Sequence, residues 1–374
     1  MINAITPGIL IISGVFLDSV VWGIPLTLGV LWIADSSIIR AGVRTDRERR
    51  GKRDSLFAMQ TDSKPGIQIH VTARWLIVIF CAFMAIATSA AFAQDRSTYA
   101  THLNASDSGI DWIAFYDQAD ALTAETRNSF PHHLDISYGD HAKQKFDLYL
   151  PQGKPSGPAF VFIHGGGFVE GDRSHYGYVA RPLAKHGILT VVMSYRLSPE
   201  HYPVQVQDVQ AVLGWVYRHI AEYGGDPSRL FVGGHSAGAI LSAFVSVDSS
   251  WLVDQSLPAD LIKGYVPMSG PYDLRTPGGF VDNYLPDDSK RLEASPILNI
   301  HDFSSQAIVA AGSLEQGYVE SSQAFVDAIH AGGGQAELIV LEGMAHDATA
   351  LSAGDEDSLL VKAMIEMMVS SASD

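Results

Sequence analysis

Six short apolar runs recur along the later part of the chain: Ala159–Ile163 (AFVFI), Ile188–Ser194 (ILTVVMS), Leu230–Gly233, Ile262–Met268, Ala307–Ala311 and Leu338–Leu341. Unbroken apolar character over so short a span marks strands covered on both faces, not half-exposed ones. Helical patterns lie between the runs. The clearest is Val209–Ile220, with apolar residues at 209, 212, 213, 216 and 220. It is stopped by Gly224-Gly225 and then Asp226-Pro227, which cannot continue a helix. Strands alternating with helices require a mostly parallel central sheet with helices on both faces, an α/β fold. Ahead of this series, Asp111–Asn128 reads as a lead-in helix. Leu134–Tyr138 and Lys145–Leu150 alternate like a hairpin around GDHAKQ. The polar, Pro-rich stretch Thr276–Ile300 reads as an insertion between two strands, and with the lead-in segment it is expected to form a small cap.

The first 93 residues have a different character. Gly8–Ile33 is about one membrane span long and interrupted only by Asp18 and Pro25. The basic cluster Arg44–Arg53 (RTDRERRGKR) follows it and would lie on the cytoplasmic side. Alternatively, the natural start is Met59. In Arg74–Ala93 (RWLIVIFCAFMAIATSAAFA) a basic start, an apolar stretch and a final A-x-A follow one another in the order of a secretory signal peptide. The domain reading is therefore 1–73, a transmembrane segment or mis-assigned extension; 74–93, a signal peptide; and 94–374, the main domain. The main domain is expected to be exported, periplasmic or secreted, and membrane-anchored if residues 1–93 are retained. Cys81, the single cysteine, would leave with the signal, so no disulfide is available to the domain. From Gln94 onward 16 Lys and Arg face 35 Asp and Glu. Such acidity excludes nucleic acid as a partner and gives no attraction to anionic lipid.

In open α/β sheets, ligands gather beyond the carboxyl ends of the strands, so the residues following each strand are the informative ones. After AFVFI comes His164-Gly165-Gly166-Gly167-Phe168. Consecutive glycines let the backbone approach a ligand and aim N–H groups at one point. After LFVGG comes His235-Ser236-Ala237-Gly238, which completes G-x-S-x-G and runs directly into a helical pattern. That combination is a nucleophile elbow, with the serine exposed at a sharp strand-to-helix turn. G-x-S-x-G alone arises easily by chance, but here the glycine loop and the elbow account for each other. Acyl transfer passes through an oxyanion that needs two or three N–H donors, and Gly166, Gly167 and Ala237 are placed to supply them. A serine also needs a general base. After the last loop acid two histidines remain: His330 ends a helix before Gly332-Gly333-Gly334, whereas His346 follows the final strand, where a base belongs. Glu315, in GSLEQG, is the first choice for the orienting acid. Asp273 is the second, and Asp302 a third that precedes its strand.

HGGGF, YRLSPEHYP, GGDPSRLFVGGHSAG, the late Gly-x-x-Glu ending at Glu315 and a histidine in the last loop together resemble the α/β-hydrolases of the hormone-sensitive-lipase and carboxylesterase group. The resemblance runs from about Leu134 to the end. Within it, LDISYGDHAKQKFDLYLP and GSLEQGYVESSQAF look more like the arylformamidase (kynurenine formamidase) and small-esterase branch, where the acid can be Glu. The resemblance implies an α/β-hydrolase fold, a Ser236–His346–Glu315 triad, an oxyanion hole from the glycine loop, and no metal or organic cofactor. It implies hydrolysis of small or aryl carboxylic esters, or alternatively of N-formyl amides such as N-formylkynurenine, for which export is the wrong compartment. A non-catalytic binding module is the remaining class, and the intact Ser, His and acid oppose it. Phe168 stands where Trp is frequent, and His235 where an acid often precedes the serine. Asp208, Asp226, Tyr195, Arg196 and Glu200 read as scaffold.

Overall fold

The computed structural model describes residues 110–153, 157–302 and 304–370. The membrane-segment and signal-peptide readings fall on residues 1–93, outside the described residues. Among the described residues no helix is long and apolar enough to cross a membrane.

Eight strands form one sheet: β1 His132–Ser137, β2 Lys145–Tyr149, β3 Ala159–Ile163, β4 Leu189–Met193, β5 Leu230–His235, β6 Ile262–Met268, β7 Gln306–Gly312 and β8 Ala336–Leu341. The helices, in chain order, are α1 Trp112–Ser129, α2 Ala180–Lys185, α3 Val204–His219, α4 Ala237–Val247, α5 Ser250–Asp254, α6 Arg291–Ala294, α7 Gln316–Ala331, α8 His346–Ser352 and α9 Leu359–Ser370. The spatial strand order is β1-β2-β4-β3-β5-β6-β7-β8. β1 and β2 pair antiparallel, β2 runs antiparallel to β4, and every pairing from β4 to β8 is parallel. The chain therefore steps from β3 to β4 on one side, then crosses back to place β5 on the other. The carboxyl ends of β3 and β5 lie side by side at that reversal, where an open sheet leaves a crevice.

The central strand β3 is apolar throughout because both its faces are covered. In β3, Val161 and Ile163 pack on one side with Val209 and Leu213 of α3 and Ile240 of α4. Phe160 and Phe162 pack on the other with Phe115 of α1, Leu183 of α2 and Met364 of α9. This is the two-residue strand period read by two different helical layers. α4 is buried along its whole length, and this is why its sequence, AGAILSAFVSV, carries no polar face. α1 starts where the Asp111 carboxylate accepts from the Ala114 N–H at 3.0 Å.

Two elements differ from the sequence reading. α3 begins at Val204, five residues before the apolar period becomes visible, and its first turns bury Gln205 and Asp208. Asp208 is fixed there by Arg196 at 2.7 Å and Gln144 at 2.8 Å, so a buried ion pair stands where a hydrophobic period was sought. β1 is a largely exposed edge strand with an irregular register between His133 and Ile136, a common way to close a sheet edge. The 276–300 insertion lies between β6 and β7 as short 3-10 turns followed by α6.

Candidate functional site

Ser236 sits between β5 and α4 with φ 57° and ψ −116°. That conformation costs a non-glycine residue about 1–3 kcal/mol and persists only where its surroundings enforce it. The enforcement is visible on both sides. A methyl group on Gly234 would lie 2.5 Å from the Gly238 carbonyl, and one on Gly238 would lie 2.1 Å from the Ile163 carbonyl. The two motif glycines are thus what allow strand β5, helix α4 and strand β3 to close around the serine. Ser236 N–H donates to the Met268 carbonyl at 2.8 Å, which locks the elbow to β6.

The glycine loop after β3 turns beside the elbow. Gly166 (φ 112°) and Gly167 (φ 60°) both take left-handed backbone. The Gly166 carbonyl accepts from Val169 and Glu170 N–H at 3.1 Å each. Among the described residues, none of the Gly166, Gly167 and Ala237 N–H groups donates to a backbone carbonyl. His164 anchors the loop's base. It is fully buried, its ring stacks on Tyr195 at 4.5 Å, and the Tyr195 hydroxyl donates to the His164 carbonyl at 3.1 Å. Burial holds its imidazole neutral, with a pKa near about 3.

His346 opens α8 after the last strand, and its Nδ1 hydrogen-bonds Glu315 Oε1. With Nδ1 as donor, Nε2 remains an acceptor for the serine side. Glu315 directly precedes α7, without a side-chain capping bond to it, and its carboxylate is held at its other oxygen. Ser269 Oγ, Gly312 N–H and Thr349 Oγ1 all donate to Oε2, at 2.7, 2.9 and 3.0 Å. Burial pushes the Glu315 carboxyl up, but the hydrogen bond and charge of His346 outweigh it, with His235 and Ser269 adding, and the pKa falls to about 2. The His346 ring is packed by Tyr318, stacked at 5.1 Å, and by the edge of Trp112 at 6.2 Å. His235 lies 4.3 Å away, ring centre to ring centre, and burial followed by the proximity of His346 keeps it neutral with a pKa near about 3.

Ser236, His346, Glu315, Gly166 and Gly167 all border one cavity of about 680 Å³. Its walls are aromatic. Trp112 and Tyr116 come from the lead-in helix α1, Tyr176 follows the glycine loop, Phe280 comes from the insertion and Tyr318 from α7. Among the described residues, no Lys or Arg borders it. Ala237 lies directly behind the serine, fully buried at the start of α4. The other candidates lie elsewhere. Asp273 is exposed and paired with Arg275 at 2.9 Å, and Asp302 caps a turn by accepting from Ser304 N–H at 2.8 Å. His330 Nε2 meets the Ala336 carbonyl at 2.9 Å at the far end of α7. Sequence reading missed Ser269, Thr349 and Tyr318, because single hydroxyls and rings on three separate segments, the turn after β6 and the helices α8 and α7, carry no spacing signal. Among the described residues, no group of three or more His, Cys, Asp and Glu is placed to hold a metal ion.

Beneath the glycine loop, Glu170 is buried and its Oε1 has no hydrogen-bond partner among the described residues. Burial raises its pKa from 4.5 to about 8. The unfolded chain then loses a proton near pH 4.5 that the folded chain keeps until about pH 8, so stability falls as pH rises through this window. Glu170→Gln removes the cost. The expected gain is about 1–3 kcal/mol at pH 8, shrinking to nothing below pH 4.5. Thermal unfolding followed from pH 4.5 to 8.5 measures it, and a gain independent of pH would contradict the account.

A serine on a strained elbow, bordering one cavity with an imidazole–carboxylate pair and a glycine turn at the sheet's crossover, is the layout of an α/β hydrolase. The chain belongs to the α/β hydrolase fold family, whose model matches residues 160–350. The isoprenylcysteine alpha-carbonyl methylesterase of Arabidopsis thaliana is 28% identical over 248 residues, covering 56% of this chain and 55% of that protein. The esterase LipC of Mycobacterium tuberculosis is 30% identical over 162 residues, 42% of this chain and 40% of that one. The chain spans about half the length of the curated relatives it matches. Among solved structures, a hyperthermophilic esterase from the archaeon Pyrobaculum calidifontis shares the fold with a TM-score of 0.56 at 20% identity, covering 70% of this chain and 92% of that one.

Proposed function

We propose that this protein is a serine hydrolase of carboxylic esters with small or aryl acyl groups, acting through an acyl-enzyme. The observation that carries the reading is the single cavity bordered by Ser236, the His346–Glu315 pair and the glycine turn. His346 Nε2 takes the Ser236 proton as the serine oxygen attacks the ester carbonyl. The N–H groups of Gly166, Gly167 and Ala237 receive the developing oxyanion, with the N-terminal field of α4 behind them. Glu315, ionised throughout the neutral range, balances the imidazolium and keeps its tautomer. His346 then protonates the leaving alcohol, and water releases the acyl group by the reverse sequence. An aromatic wall without cations suits an uncharged aryl or short acyl chain. The esterase names of the relatives support the same bond type. In this reading the domain works outside the cytoplasm, on the strength of the signal-like order in Arg74–Ala93.

A glutamate as the acid and a histidine before the serine favour a second reading, the arylformamidase one, in which the same groups cleave an N-formyl amide. Turnover of p-nitrophenyl acetate and butyrate beside N-formylkynurenine by the full chain separates them. Faster ester cleavage supports the first reading and faster formamide cleavage the second. No turnover of either leaves a binding module.

A further inference from the structure

We infer that Asn283, in the insertion between β6 and β7, is a positioning residue for the oxyanion donors: its side-chain amide sets the glycine turn that carries them. This rests on the proposed role of that turn and adds a control element from a separate part of the chain.

Three consecutive residues of the turn have positive φ: Gly166 at 112°, Gly167 at 60° and Phe168 at 65°. For the two glycines this costs little, and it also means that little in their own backbone holds them there. Phe168 is different, because a bulky residue in left-handed backbone is strained and keeps that shape only when its neighbours impose it. The insertion supplies two of the restraints. Asn283 Nδ2 donates to the Gly167 carbonyl at 3.2 Å. The next residue, Tyr284, lays its ring flat on Phe168, with centroids 4.2 Å apart and planes 8° from parallel. The Phe168 carbonyl in turn accepts from Ser198 N–H at 2.8 Å.

The insertion is itself fixed at this spot. The Asn283 carbonyl meets His201 Nδ1 at 3.0 Å, and the Tyr284 carbonyl accepts from Tyr202 N–H at 3.0 Å. Arg291 is almost fully buried and donates to the Leu274, Thr276 and Leu285 carbonyls, which ties the start of the insertion to its middle. A permissive Gly-Gly turn is thus held from outside by an amide and a ring on a braced loop. Oxyanion donors work only when preorganised, and small misplacements are expensive in rate. The amide acts on the Gly167 carbonyl, and Asn283 is not among the residues that border the cavity, so its loss is expected to fall on the transition state and not on binding.

The test uses the full chain with Asn283→Leu, which keeps the bulk without the donor, and Asn283→Ala. The readouts are kcat and KM on p-nitrophenyl butyrate, the inhibition constant of an aryl trifluoromethyl ketone, and the melting temperature. Such a ketone adds to the serine and places an oxyanion in the hole. The expected result is a kcat lowered about 10- to 100-fold in both variants, with KM within about twofold. The ketone's inhibition constant rises by a similar factor. Wild-type kcat in both variants overturns the inference. So does a kcat loss without weaker ketone binding, because that pattern belongs to general loosening of the fold, which the melting temperature reports. Failure of the underlying reading looks different: the wild type then turns over no ester and binds no ketone, and the inference falls with it.

Discussion

Ser236→Ala removes ester turnover from the full chain, lowering kcat by at least about ten-thousand-fold on p-nitrophenyl butyrate, while the protein stays folded. The remaining rate is what the glycine turn and the cavity give to attack by water alone. The fold survives because Ala fills nearly the same space and the elbow is shaped by Gly234 and Gly238, not by the hydroxyl. The strain also survives, since φ 57° with ψ −116° is as costly for Ala as for Ser. Ser236→Gly is therefore the sharper companion. It is equally inactive, yet it relieves the backbone and is expected to be more stable than Ser236→Ala by about 1 kcal/mol, less the entropy glycine brings to the unfolded chain. Kinetics and thermal unfolding of the pair measure both effects. An active Ser236→Ala protein would sink the proposed mechanism, and a Ser236→Gly protein less stable than Ser236→Ala by the full entropic cost of glycine, about 0.4–1 kcal/mol, would show that the elbow stores no strain.

How much of this could be read from the sequence varied with the kind of signal. β3 was legible to the residue, because a strand between two helical layers must be apolar on every side chain. The elbow was legible because its glycines answer to steric contacts within one short stretch of chain. Glu315 and Asp273 both follow a strand, so the sequence could rank Glu315 first only by its loop and by resemblance. What separates them in space is three donors converging on one oxygen, from residues 269, 312 and 349. No periodicity encodes that convergence, because the topology of the sheet brings those segments together. The start of α3 was hidden for a related reason. Its first turns satisfy Gln205 and Asp208 through partners elsewhere in the chain, so burial there leaves no apolar trace. The insertion was legible as an interruption between strands, but its grip on the glycine turn depends on one amide and one ring.

Glu315→Gln is expected to cost about a thousand- to ten-thousand-fold in kcat through the tautomer of His346, not through loss of charge alone. In the native site Oε2 receives the Ser269 hydroxyl, the Gly312 N–H and the Thr349 hydroxyl. The two hydroxyls can rotate, but the Gly312 N–H cannot, so an amide nitrogen is excluded from that position. The glutamine oxygen must take it, and the NH2 group then faces His346 Nδ1. That nitrogen becomes an acceptor, the ring proton moves to Nε2, and His346 can no longer receive the proton from Ser236. Glu315 stays ionised down to about pH 2, so its own titration adds no pH dependence to the loss between pH 6 and pH 9. The stability effect has its own sign. A carboxyl whose pKa is lowered on folding stabilises the protein above its ordinary value of 4.5, and that contribution fades as pH falls towards 2. The melting-temperature deficit of Glu315→Gln is therefore largest at neutral pH and narrows in acid. Profiles of kcat/KM from pH 5 to 9 test the kinetic claim. A variant that recovers activity at either end of the range would show that Glu315 acts through its charge and not through the tautomer it imposes.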